Sequence, residues 1–257
     1  MSGDVEPARH YNDLDLKLLW GLSAARCAFP GCREVCILDG TVSDRPSARR
    51  GRIAHIVGHS DNGPRSDPSF PFHLRSKYEN LILLCATHHD DVDAHDETYT
   101  VEMLREWKSE HEQWIKTSLA QEMPKIGFAE LEVVCRGILS VQSAPNVDFH
   151  VLAPEEKMRK NGLTTNVRFL LEMGYAKIPE VGDFVSHIAK LDYAFPERLV
   201  AGFRGEYDRL VQTGIQGDGL FFALQKFASL GSDEIVQITT GLAVLSYLFQ
   251  TCEVFEH

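Results

Sequence analysis

The chain has 257 residues, 44% hydrophobic and 25% charged, the make-up of an ordinary globular protein with room for one large domain or two modest ones. Its formal net charge of −11 excludes a protein that coats nucleic acid by bulk electrostatics, and no stretch approaches the roughly 18–20 apolar residues of a membrane span. The polar, acidic opening "MSGDVEPARHYNDLDLK" reads as neither a signal nor a transit peptide, and six scattered cysteines make no disulfide framework, so a cytoplasmic chain whose thiols serve metal is expected.

In chain order, "DLDLKLLWGLSAA" predicts a short helix. "CAFPGCREVCILD" follows as a Gly/Pro-tipped knuckle running into a short strand over 34–38. A polar stretch then carries Arg45, Arg49, Arg50 and Arg52, the one dense basic run, and leads into the apolar-flanked "RIAHIVG". Residues 58–78 are rich in Gly, Pro and Ser and are expected to be a loop, long enough to suggest a functional reason. "YENLILLCATHH" returns to apolar order and passes into helix.

Thr100 is a fitting cap for a long helix over about 101–119, with Met103, Leu104, Trp107, His111, Trp114 and Ile115 on one face. Met123–Pro124 breaks that pattern, so the domains are expected to be 1–122 and 123–257. "FAELEVVCRGIL" has helical period, and "NVDFHVLAP" reads as a brief extended link. Amphipathic segments near 155–161, 164–173, 180–191, 195–212, 217–229 and 233–250 then predict an all-α second domain. The last of them is apolar around much of its circumference, as in a helix buried in a bundle or at an interface.

Two spacings carry chemistry. Cys27 and Cys32 flank "AFPG", whose Pro30 and Gly31 can turn both thiolates toward one point, and Cys85 and His88 flank "AT". Together they form a Cys3His set of the kind that holds structural zinc. Cys36, Cys135 and Cys252 are expected to be buried core thiols. With His88 committed to zinc, His89 points about 100° away around a helix and shares a face with Asp93, four residues on. An imidazole and a carboxylate with open positions beside them suit a catalytic divalent cation. His55 stands at a strand end and Asn80 just before the returning strand. His59 and His95 are expected to be exposed loop histidines, and His111 to pack onto the core of the first domain.

The order His55, Asn80, His89, interleaved with "CAFPGC", "AHIVG", "GPR", "YENLILLC" and "THH", resembles the HNH nucleases of the ββα-metal fold over about residues 20–119, in particular HNH effectors of bacterial anti-phage defence systems. The resemblance implies an α+β chain: a zinc-stabilised ββα-metal nuclease domain followed by an all-α domain. It implies a DNA endonuclease with His55 as general base, Asn80 bracing the loop that carries His55, and His89 with Asp93 holding Mg2+ or Mn2+. Many members carry an aspartate ligand directly before the base, where this chain has Ala54, so Asp61, His59, water or substrate would have to fill in. Arg65 of "GPR" and Arg49, Arg50 and Arg52 are expected to meet phosphates.

The second half is acidic, with 18 Asp and Glu against 12 Lys and Arg from residue 121 on, which favours a protein partner over DNA. It more weakly resembles the helical domains attached to effectors in ABC-three-component defence systems. That likeness implies a homo-oligomer or a partner such as an SMC/ABC-type ATPase. The competing readings are a restriction-type nuclease whose helical half reads DNA, an RNA nuclease, and an inert zinc-scaffold binding module.

Overall fold

A computed structural model describes residues 11–38, 48–139, 152–252 and 255. It is α+β and mostly helical, with two small antiparallel sheets, each of two strands. The chain divides into two compact units, Met1–Lys116 and Thr117–His257, the division falling within one long helix.

The first unit opens with α1 (Asp13–Leu22), capped by the Asn12 side chain, which accepts a hydrogen bond from the Asp15 N–H at 2.7 Å. The knuckle that follows is closed by a bridge between Arg26 and Val35 and by the Cys27 N–H donating to the Glu34 carbonyl at 2.9 Å. Its tip needs left-handed backbone, which Gly31 supplies at φ +76°. The expected strand over 34–38 shortens to β1 (Ile37–Leu38), paired with β2 (Ala48–Arg49).

The central hairpin is β3 (Gly51–His55) against β4 (Leu81–Cys85), in register from Gly51 opposite Cys85 to His55 opposite Leu81. "LILLC" is an unbroken apolar run because both faces of β4 are buried, and α1 and the next helix both pack on it. That helix, α2 (Ala86–Ala94), follows β4 without a linking residue. Among its nine residues only Val92 is buried, so an apolar stripe does not hold it in place. Thr100 caps α3 (Val101–Glu122) by accepting from the Met103 N–H at 3.4 Å. The apolar face of α3 buries Leu104, Trp107 and His111, as its spacing predicts.

The long connection between β3 and β4 is loop, with two single turns of 3-10 helix at Phe72–Leu74 and Tyr78–Asn80. Asp15 of α1 fastens the second turn: its carboxylate accepts from the Tyr78 N–H at 2.9 Å and from Lys77 Nζ at 3.3 Å.

From residue 128 on, the regular elements described are all helices: α4 (Phe128–Leu139), α5 (Pro154–Lys160), α6 (Thr165–Tyr175), α7 (Ile178–Ala189), α8 (Phe195–Gln212), α9 (Gly217–Ala228) and α10 (Ile235–Thr251). The link "NVDFHVLAP" lies largely outside the described residues. α10 is the hub, packed against α4, α6, α7 and α9 and buried from Thr239 through Leu248 and Phe249 save for part of Tyr247. Close approach of α6 depends on Gly174, where a Cβ would stand 2.1 Å from Ser246 Oγ. The fully buried Lys157 donates from Nζ to the carbonyls of Phe249 (2.8 Å) and Cys252, placing a cation on the end of α10 where the helix dipole favours it. Among the described residues, no helix is long and apolar enough to cross a membrane.

Candidate metal centre and adjoining cleft

The four residues of the first motif converge. The ligand atoms of Cys27, Cys32, Cys85 and His88 all lie within 4.8 Å of one another, and His88 Nδ1 stands 3.1 Å from Cys85 Sγ and 3.6 Å from Cys27 Sγ. Tetrahedral zinc with metal–sulfur bonds of about 2.3 Å separates its thiolates by about 3.8 Å, so this cluster could hold a metal ion such as zinc. Phe29, at the knuckle tip, stacks on the His88 ring at 3.8 Å and 6° and meets Trp107 edge-on at 4.9 Å, which fixes the imidazole plane.

Burial pushes the Cys27 thiol far up and the Cys85 thiol up as well, so these two thiols hold their protons when no metal is bound. A divalent cation is what makes buried thiolates stable there. Cys36 stays outside the set, fully buried behind Gly51, and burial pushes its thiol up to about 12. Cys135 and Cys252 are buried thiols too.

Beside this cluster, the end of the hairpin and α2 form a cleft lined by His55, His59, Arg65, His89 and Asp93. The His55 ring has two aromatic neighbours, Tyr11 at 5.7 Å and His59 at 5.1 Å. Asn80 is 3% exposed and bonds to the chain beyond His55: its Oδ1 accepts from the Val57 N–H at 2.8 Å, and its Nδ2 donates to the Val57 carbonyl at 2.9 Å and the Arg75 carbonyl at 2.8 Å. On α2, His89 Nε2 and Asp93 Oδ2 are 3.7 Å apart, near enough that both could hold one cation. Among the described residues, the Cys27–Cys32–Cys85–His88 quartet is the one group of three or more His, Cys, Asp or Glu side chains that converges in this way, so no third such group joins His89 and Asp93.

Several expectations are corrected. Arg65, expected to meet a phosphate, has a side chain 3% exposed and fully engaged with the protein. Its Nε donates to the Ile56 carbonyl (3.2 Å), one terminal nitrogen to the Val92 carbonyl (2.6 Å), and the other to the His55 carbonyl (3.2 Å) and Asp93 Oδ1 (2.7 Å). His59, expected to be exposed, is 7% exposed and lines the cleft; His95 is exposed. Asp61 turns to the buried Arg75 at 2.7 Å and does not line the cleft. Of the arginine run, Arg50 pairs with Glu34 and Arg52 with Asp90, Arg49 is exposed, and Arg45 lies outside the described residues.

No family model and no curated protein matches the chain. The site therefore stands on its own geometry.

Spacing did not reveal the two buried arginines or Asp15. Their partners are mostly backbone carbonyls and N–H groups brought near by the loop, and these leave no residue pattern to read. The one available signal was the pair of glycines at 58 and 63. The Gly58 N–H donates to the Arg65 carbonyl at 3.1 Å, and a Cβ on Gly58 would stand 2.5 Å from the Pro64 carbonyl oxygen.

Proposed function

We propose that the chain is a metal-dependent endonuclease of the HNH, ββα-metal type that hydrolyses DNA phosphodiester bonds. One observation carries the reading: an antiparallel hairpin followed directly by a helix collects His55, His89 and Asp93 in one cleft, with Asn80 bonded to the chain beyond His55. The quartet at the root of α2 is then a structural zinc site. His89 and Asp93 would hold Mg2+ or Mn2+, which when bound supplies charge relief on the phosphate.

His55 takes a proton from the attacking water as its oxygen bonds to phosphorus. The 3′-oxygen leaves in line with the electron pair of its bond and is protonated by solvent, giving a 5′-phosphate and a 3′-hydroxyl. Asn80 holds residues 56–57 by both backbone groups of Val57 and so limits drift of the base. The acidic helical unit is the docking or regulatory part, serving a second copy or a partner such as an SMC/ABC-type ATPase in a defence complex. Its charge balance supports that assignment over DNA reading. A nuclease also has to be restrained in its own cell.

Two observations favour a second reading, a zinc-scaffold binding module with no catalysis. Position 54 carries a buried alanine instead of an acid, and His89 and Asp93 have no third protein ligand among the described residues. Supercoiled plasmid incubated with the purified chain and Mg2+ or Mn2+ separates the two. Nicking that needs the cation and disappears in His55→Ala is expected. Nicking that persists in His55→Ala overturns the assigned base, and DNA binding without cleavage favours the module.

A further inference from the structure

We propose that Arg65 is a positioning residue that sets the geometry of the divalent-cation site; the proposal rests on reading the cleft as such a site. Its guanidinium spans the two elements that must agree for the cleft to work. The same terminal nitrogen reaches the carbonyl of His55, at the end of β3, and Oδ1 of Asp93, on α2. The other terminal nitrogen donates to the Val92 carbonyl in the last turn of α2, a cation where that helix end favours one.

α2 therefore has two anchors in place of an apolar face. The Cys85–His88 end is tied by the quartet, and the far end is tied by Arg65. With Oδ1 engaged, Asp93 offers its other oxygen toward His89, at 3.7 Å. A carboxylate fixed in this way meets a cation through one preset oxygen, which is how outer groups tune a metal ligand.

The chain goes to some length to deliver this side chain. Arg65 adopts φ +53°, a left-handed conformation uncommon outside glycine, and its N–H donates to Asp96 Oδ2 at 3.3 Å just beyond α2. The loop from Gly58 to Arg65 closes on itself through the Gly58 N–H. An arginine that only filled space would need neither the turn nor the shared contact between His55 and Asp93.

The test reads cation binding directly, in full-length, zinc-loaded protein. Mn2+ affinity is measured by electron paramagnetic resonance for the wild type, Arg65→Lys, Asp93→Asn and the double variant. Lysine keeps the charge but cannot span the four acceptors. Arg65→Lys is expected to weaken Mn2+ binding about 10- to 100-fold while zinc content and far-ultraviolet circular dichroism stay unchanged. The double variant is expected to bind no more weakly than Asp93→Asn alone. Unchanged Mn2+ affinity in folded Arg65→Lys, or losses that simply add, would overturn the proposal.

If Arg65→Lys fails to fold, the unaltered protein still decides. The Arg65 Nε–H nuclear magnetic resonance signal should shift as Mg2+ saturates the site, and a signal indifferent to Mg2+ rejects the coupling. The two readings fail separately. Arg65-dependent Mn2+ binding without plasmid nicking removes the nuclease and leaves the positioning role, whereas nicking with Arg65-indifferent Mn2+ affinity does the reverse.

Discussion

His111 illustrates how a single side chain in this protein is decided by what surrounds it. It lies on the apolar face of α3, 1% exposed, with Nε2 donating to the Ser23 carbonyl at 3.0 Å and Nδ1 accepting from Arg33 at 2.6 Å, while Arg33 also lies over the Trp114 ring at 4.6 Å. Burial, with help from the Arg33 charge, lowers its pKa to about 4. As pH falls through 6.5 the unfolded chain gains a proton that the folded chain refuses until about 4, so stability is full above 6.5 and declines between those values. The loss should reach on the order of 3 kcal/mol by pH 4 from this group. Denaturant unfolding with zinc in excess checks it. His111→Gln should be less stable at pH 7 yet fall less steeply below pH 6.5, and parallel curves for the two proteins would reject the assignment.

At the scale of elements, α2 is the part to test, because adjacent residues are given different work. His88 faces the cysteines and Phe29, while His89 faces Asp93 and the cleft. His88→Ala is expected to lose tightly held zinc and destabilise the first unit by about 2–4 kcal/mol, since a zinc ligand carries folding free energy. His89→Ala should keep zinc and fold while plasmid nicking falls by at least a hundredfold. Zinc analysis, thermal melts and nicking on the same preparations read all three, and loss of folding in both variants would end the division of labour.

Here the sequence was readable where a period or a spacing carried the information. The apolar run of β4, the face of α3 and the paired cysteines all declared themselves. The 58–78 loop was legible only as a loop. Arg65, Arg75 and His59 look like surface residues in any composition argument, yet each is buried: Arg75 meets carbonyls of its own loop, Arg65 meets those of His55, Ile56 and Val92, and the His59 ring lies near those of His55 and Phe72. Contacts of that kind are long in sequence and have no period.

For the whole molecule, two compact units with separate cores predict unequal dependence on metal. The second unit is organised around α10 by apolar packing, and the quartet lies entirely in the first. Chelation of zinc in the full chain should therefore lower the melting of one unit by roughly 10 °C or more and leave the other nearly fixed, turning calorimetry into two resolved transitions. A single transition that moves as one block under chelation would show that the units unfold together.

Because β4 passes into α2 with no residue between them, chain length is part of the site in the same sense as chemistry. Removing Thr87 would carry His89 into the place of His88 and keep a Cys-x-x-His pair for the metal quartet, but Asp90 and Ala94 would then occupy the positions of His89 and Asp93. One residue lost would leave a protein with its scaffold and without its cleft chemistry. Along this stretch, then, the fixed quantity is the count of residues from Cys85, and length variation has to be taken up elsewhere in the chain.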